Sequence, residues 1–287
     1  MKKCYKEKNE EEQKNWVPLP HMKDSLQKVK KVSDSAQMHS PTYRLAYLDK
    51  DFMMRPELRS QRISLEFLKP EITLQECDIQ STVVLFGGAR IPEPGQEVWA
   101  AKNETQKKNL YSMSHYYDEA REFARLCSRY SATTEYREFV IVTGGGPGIM
   151  EAGNRGAVDV GAPTIGLNVF LPHEQEPNPY VTPHLCFNFH YLAMRKVHFL
   201  MRAKALAVFP GGFGTLDELF ETLTLMQTGR MKKVPILLFG KEFWDNVINL
   251  AYLSAQGTIS SSDVNLVKFV STAEEAFKEI RAFYKLP

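Results

Sequence analysis

The chain has 287 residues, 43% of them hydrophobic, enough for one large α/β core and a small appendage. Its formal net charge of +2 is close to balanced, which argues against a surface built to coat a nucleic-acid polymer and against a polyanionic role. Four cysteines without a Cys-x-x-Cys spacing and seven histidines without a ligand pattern give no reason to expect a disulfide framework, a zinc site or any other metal.

In chain order, Met1 to Trp16 is rich in Lys, Glu and Asn and lacks the apolar run of a signal peptide; no later stretch is long enough for a bilayer. A cytoplasmic protein with no membrane partner is the expectation. Residues 1–40 are expected to be disordered or loosely helical, because their composition cannot bury enough apolar area to offset chain entropy. Across residues 41–80, Leu45, Leu48, Phe52, Leu58, Ile63, Leu65, Phe67 and Leu68 alternate with charges. That pattern predicts a helical segment packed on the core or on a second subunit.

Residues 81–287 read as a single nucleotide-binding domain. Strands are expected at 83–87, 139–143, 164–168, 185–189, 205–209, 234–239 and 267–270, and helices at 115–130, 148–160, 191–203, 214–227, 242–254 and 273–284. Continuously apolar strands such as Ala205 to Phe209 belong in a sheet covered on both faces. Repeated alternation with helices then predicts an α/β, Rossmann-like, doubly wound and mostly parallel sheet with helices on both faces. Pro92 to Tyr111 is a polar insertion, either a lid or a mobile surface loop. Leu171 to Tyr180 is a long proline-rich stretch, either a loop that borders the site and touches the base or a plain linker. Cys127 shares an apolar helix face with Ala120, Phe123 and Ala124 and reads as core; His184 and His190 read as ordinary polar residues.

Three strands end in glycine turns. Val83-Val84-Leu85 leads into Phe86-Gly87-Gly88-Ala89-Arg90. Phe139 to Val142 leads into Thr143-Gly144-Gly145-Gly146-Pro147-Gly148, with Pro147 placed to start a helix and small residues at 153, 156 and 157 letting that helix lie close on a sheet. Ala205 to Phe209 leads into Pro210-Gly211-Gly212-Phe213-Gly214-Thr215-Leu216-Asp217-Glu218. Glycines admit a ligand close to the backbone, and a helix start offers unpaired N–H groups under a positive dipole end. Three such turns imply a nucleotide-like ligand at the carboxyl ends of parallel strands. Neither G-x-G-x-x-G nor a Walker ending is present. Glu218 stands out as an acid beside a site built for an anion. The wheel places it away from the face of Leu216, Leu219, Phe220 and Leu223, so a solvated first-turn glutamate is the competing reading.

The stretches TGGGPGIMEAGNRGA and PGGFGTLDE, with Met194-Arg195-Lys196 between them, resemble the LONELY GUY (LOG) family over roughly residues 80 to 285. Members are nucleoside 5′-monophosphate phosphoribohydrolases, often mislabelled lysine decarboxylases. The resemblance implies that Arg195 and Glu218 are the catalytic pair. It places Gly88, Ala89, Arg90, Thr143, Gly144, Gly145, Gly146, Gly148, Met194, Lys196, Gly211, Gly212, Gly214 and Thr215 around the nucleotide. It also implies no cofactor, and a dimer or larger homo-oligomer with the site near the subunit contact, to which the helix at 191–203 would contribute. Tyr191 to Lys196 lacks the acidic residue that plant members place before the arginine, and the amino-terminal extension and the insertion after Arg90 are additions to the short members' plan.

Opening an N-glycosidic bond passes through an oxocarbenium-like centre that a carboxylate can stabilise, or whose attacking water it can orient. Phosphate binding anchors the nucleotide so that sugar and base are positioned for reaction. Arg195 offers a fixed cation and a fork of donors, either for the departing base or to lock substrate and Glu218 in place. On the expected helix, Ala193, Val197, Leu200 and Met201 face inward while Arg195 and Arg202 share the other side. The resemblance implies a purine monophosphate such as AMP or a cytokinin riboside monophosphate as the substrate class. The alternative is a non-catalytic binder of a nucleotide or phosphorylated cofactor. A pyridoxal-phosphate decarboxylase needs a Schiff-base lysine and a partner for the pyridine nitrogen, and no lysine here sits in such a setting.

Overall fold

The computed structural model describes residues 34–170 and 176–287; the expected extension up to residue 33 and the first part of the proline-rich loop, residues 171–175, lie outside the described residues. The chain divides into two compact units, Met1–Leu68 and Lys69–Pro287. In the first unit the chain forms a series of short helical turns. One helical turn, α1 (Ala36–His39), precedes α2 (Lys50–Met53), whose start is capped by the Asp49 carboxylate accepting from the N–H groups of Asp51 and Phe52. Arg62 donates to the carbonyls of Met53 and Arg55, both at 2.7 Å. Of the apolar residues expected to pack on the core or on a second subunit, Leu45, Leu48, Phe52, Leu65 and Leu68 are exposed in the single chain, and Leu58, Ile63 and Phe67 are half-buried.

Helix α3 (Arg59–Glu76) leads into the second unit, where Leu74 joins the core. There the order is β1 (Thr82–Phe86), α4 (Glu104–Ser112), α5 (His115–Ala132), β2 (Val140–Thr143), α6 (Ile149–Asp159), β3 (Thr164–Val169), β4 (Cys186–Phe189), α7 (Leu192–Met201), β5 (Ala203–Val208), α8 (Phe213–Gln227), β6 (Ile236–Phe239), α9 (Lys241–Val247), α10 (Leu250–Ala255), β7 (Val267–Val270) and α11 (Ala273–Tyr284). The seven expected strands are all present. The helix expected over 242–254 breaks into α9 and α10 at Ile248 and Asn249, where the Asn249 side chain caps the second piece by accepting from the Tyr252 N–H. The polar insertion is not wholly loop, because its second half is α4.

All pairings are parallel and the strands run β4-β3-β2-β1-β5-β6-β7 across the sheet. Strand residues alternate between two cores. Val83, Leu85, Ile141, Ala205, Ala207 and Phe239 pack with α5, α6 and α11 on one face. Val84, Phe86, Val142, Leu206, Val208 and Leu238 pack with Phe199 of α7, Leu219 of α8 and Trp244 of α9 on the other. Burial on both faces explains why these strands read as unbroken apolar runs.

The small residues of α6 serve two neighbours. A side chain at Gly153 would come within 2.8 Å of Leu85, so this position sets how closely the helix lies on the sheet. At Gly156 it would come within 2.1 Å of the Arg121 carbonyl, so this position sets the approach to α5 instead. Arg121 and Arg125 both reach Asp159 and fasten the same two helices. On the opposite face the half-buried Arg202 guanidinium forms a two-pronged pair with Glu71 at 2.7 and 2.9 Å.

Strand order reverses between β1 and β5, which are hydrogen-bonded neighbours in the middle of the sheet. The chain leaves these two strands in opposite directions, so a crevice opens beyond their carboxyl ends. Two of the three glycine turns, Gly87 onward and Pro210 onward, stand at that crevice.

Candidate active site

The three turns interlock before they meet any ligand. Gly88 donates to the Pro210 carbonyl at 2.9 Å, and the Gly88 carbonyl accepts from Ile149, the first residue of α6, at 3.3 Å. Gly148 has φ of +69°, and a side chain there would come within 2.5 Å of the Gly88 carbonyl. The second turn is therefore packed against the first, and its helix start is partly used within the protein. From below, Asn178 donates its backbone N–H to Gly145 O at 2.8 Å and its side-chain amide to Gly146 O at 3.0 Å. The buried Asn154 carboxamide accepts from Thr143 and from Asn178 and donates to Thr164, and Thr143 Oγ1 accepts from Gly145 N–H. This polar ladder satisfies groups that have no access to water.

The third turn is open. Side chains at Gly212 and Gly214 would meet nothing within 4 Å. The first N–H to be used in α8 is that of Leu216, bonded to Gly212 O, which leaves the preceding amides of the turn facing outward. An anion there is favoured by both the donors and the dipole. The turn forms one side of a cavity of about 750 Å³. Gly88, Ala89, Arg90, Gly144, Arg195, Gly211, Gly212, Gly214, Thr215 and Glu218 all line it.

Glu218 is 6% exposed, and its Oε2 has no hydrogen-bond partner among the described residues. The buried face of α8 consists of Thr215, Glu218, Leu219, Thr222 and Met226, whereas Phe220 is exposed. The solvated reading of Glu218 is thus excluded: the cavity, not bulk water, lies over this side of the helix. Burial pushes its carboxyl up to about 7, with Arg195 and Lys196 opposing the rise.

Arg195 projects from α7. Its Nε donates to the Leu167 carbonyl at 2.8 Å, and its guanidinium lies over the Phe199 ring at 5.1 Å. Burial lowers its pKa while the Glu218 charge opposes that, and no carboxylate among the described residues pairs with it directly. A side chain at Gly144 would come within 2.5 Å of Arg195 Nη2, so the glycine makes room for the guanidinium. The expected orientation of α7 is reversed. Arg195, His198, Phe199 and Arg202 face inward, while Leu192, Ala193, Val197 and Met201 are exposed and Leu200 is half-buried. The arginines turn inward because a carbonyl, a ring and Glu71 receive them there.

The remaining residues drawn from the motifs do other work. Thr143, Gly145, Gly146 and Gly148 belong to the ladder and turn packing described above, and Met194 packs against the second core. Lys196 bridges α7 to α8 through Asp217 at 2.8 Å and Glu221 at 3.1 Å, a pair of contacts that occupies its charge. None of these six lines the cavity. Conversely, Ile91, Leu110, Met113, Met150, Leu192 and Phe243 line it without having been singled out by a motif. The helix carrying Leu110 did have a legible start. Asn103 accepts from Gln106 N–H, and Gln106 reaches back to Lys102 N–H, close to a capping box.

Among the described residues no group of acids, histidines or cysteines could hold a metal ion, and no helix is long and apolar enough to cross a membrane. Cys127 is fully buried, as expected, and burial pushes its thiol up.

A family model described as "Possible lysine decarboxylase" matches residues 150–280. Among the described residues no lysine lines the cavity, so these residues do not fit a decarboxylase's need for a Schiff-base nitrogen. The cytokinin riboside 5′-monophosphate phosphoribohydrolase LOG of rice (Oryza sativa subsp. japonica) is 26% identical over 147 residues, which are 50% of this chain and 60% of the rice protein. Among solved structures, a molybdenum cofactor binding protein from Rippkaea orientalis is 17% identical with a TM-score of 0.45, over 71% of this chain and 98% of that one. The molybdenum cofactor carrier protein of Chlamydomonas reinhardtii is 18% identical with a TM-score of 0.45, over 72% and 98%. Over residues 150–280 the chain is similar to the family described as possible lysine decarboxylase, and its resemblance to the LONELY GUY family rests on that match and on the rice relative.

Proposed function

We propose that the protein hydrolyses the N-glycosidic bond of a nucleoside 5′-monophosphate, releasing the free base and ribose 5-phosphate. The observation that carries this reading is one cavity in which an open helix start, a buried carboxylate with an unused oxygen and a buried guanidinium face the same space. The activity for which the rice relative is named supports the reaction class.

The 5′-phosphate sits on the amides of Gly211 to Thr215, with Arg90 supplying an exposed cation from the neighbouring turn. That anchor carries the ribose toward Glu218, one helical turn further in. As the bond from C1′ to the base nitrogen breaks, the Glu218 carboxylate faces the growing positive charge and holds the attacking water. The water oxygen bonds to C1′, and the proton it sheds passes by way of Glu218 to the departing base. Arg195, fixed by Leu167 and Phe199, orients the substrate and offsets negative charge in the site. Purine monophosphates such as AMP and cytokinin riboside monophosphates are the substrates to try first.

α7 leaves Leu192, Val197 and Met201 exposed, and Val197 and Met201 share a face that suits contact with a second copy. Leu192 also lines the cavity, so such a homo-oligomer would meet beside the site.

The test is an assay of purified protein with a panel of nucleoside 5′-monophosphates, following free base by chromatography, with Glu218→Gln alongside. Base released by the wild type and lost in a folded Glu218→Gln variant is the expected result. Tight nucleotide binding without release from any substrate would replace this reading with that of a binding protein.

A further inference from the structure

Of the groups suited to chemistry and phosphate binding in the cavity, Arg195, Gly211 to Thr215 and Glu218 lie within residues 150–280 matched by the family model, and Arg90 lies outside them. Another part of the lining is apolar, and three of its four residues lie outside that range. Ile91, Leu110 and Met113 come from the segment between β1 and α5, and Phe243 comes from α9. Ile91 is buried, and the other three are partly exposed toward the cavity. This segment is anchored to the domain: Glu93 pairs with Arg155 of α6 at 2.9 Å, and Asn103 caps the helix that presents Leu110.

These four side chains carry no hydrogen-bond donor and only the weak thioether acceptor of Met113. They offer an apolar surface to whatever extends from the ribose, and a methionine adapts to differing shapes. The polar side chains of the cavity are engaged elsewhere in the proposed complex: Arg90 and Thr215 with phosphate, Arg195 and Glu218 with the reacting sugar, Asp217 with Lys196.

We propose that the substrate's base lies against this wall, and that Leu110 and Met113 set which bases are accepted by shape and not by hydrogen bonding. The proposal rests on the nucleotide reading above. An apolar surface discriminates between ligands by roughly 10- to 200-fold, whereas a site built on hydrogen bonds to the ligand reaches about 10⁴-fold or more. The kcat/KM values for AMP, GMP, CMP and UMP should therefore fall within about 200-fold of one another.

Binding separates the wall from the chemistry. In the Glu218→Gln protein, calorimetry gives Kd for AMP, for CMP and for ribose 5-phosphate, which has no base. The double variant Leu110→Ala/Met113→Ala should weaken both nucleotides about ten-fold and leave ribose 5-phosphate unchanged. Met113→Gln, which keeps the volume and adds a donor and an acceptor, should alter the ratio of AMP to CMP affinity at unchanged ribose 5-phosphate affinity. Equal weakening of all three ligands, or no change in any, would overturn the proposal. Because the readout is binding, absence of turnover in the wild type would count against the hydrolase reading without deciding this one.

Discussion

Glu218→Gln is expected to stabilise the protein in alkaline solution while abolishing turnover. The Glu218 carboxyl titrates at about 7 in the folded chain against an ordinary 4.5, because burial disfavours its charged form. Between those two values the folded state holds the proton and the unfolded state does not. Stability therefore falls as pH rises through that window, and the full penalty is present above pH 7. With each pH unit worth about 1.4 kcal/mol, the wild-type penalty is about 1 kcal/mol at pH 5 and about 3 kcal/mol at pH 8. Glutamine is neutral throughout, so whatever its amide costs in the same place is independent of pH. Urea unfolding of wild type and variant at pH 5 and pH 8 should show the variant gaining about 2.5 kcal/mol relative to wild type between them. That gain corresponds to roughly 5–10 °C in Tm for a unit of this size. A stability difference that stays constant from pH 5 to pH 8 would refute the claim that a desolvated carboxylate sits at this position.

The same carboxyl should govern the pH–rate profile. The kcat/KM should rise about ten-fold per pH unit below 7 and level off above it, the inflection lying about one unit above that of a substrate phosphate. Gly214→Ala has open space and a helical backbone to accept it, so unfolding should show stability unchanged or raised by about 0.5–1 kcal/mol. Its methyl enters the anion site, and KM should rise about ten-fold with folding intact. At Gly156 the expectation is the opposite. A methyl group 2.1 Å from the Arg121 carbonyl pushes α6 off α5, costing about 1–3 kcal/mol in chemical unfolding and leaving kcat of the folded fraction unaltered.

Several features of this site were legible locally. A glycine turn joining an apolar strand to a helix is a statement about consecutive residues, and Pro210 to Glu218 forms that turn where the spacing put it. The seven strands were legible because burial on both faces leaves an unbroken apolar run. The motif also singled out Arg195 and Glu218, which the fold brings to one cavity from two helices. The helical wheel misjudged both, since periodicity assumes that apolar residues face the protein and charged ones face water. On α7 a carbonyl, an aromatic ring and Glu71 draw two arginines inward and leave Leu192, Val197 and Met201 outside.

The sequence by itself therefore determined the parallel α/β architecture and the three glycine turns at strand ends, because strand burial, glycine turns and helix starts are encoded by neighbours in the chain. Only the tertiary structure decided which of three similar turns remains free for a ligand. Gly88 fills the start of α6 with its own carbonyl, while Gly212 and Gly214 face open space. It alone decided that Lys196 is spent on Asp217 and Glu221, and that Leu110 and Met113 reach the cavity. Those outcomes depend on packing between segments far apart in sequence, for which local spacing carries no signal.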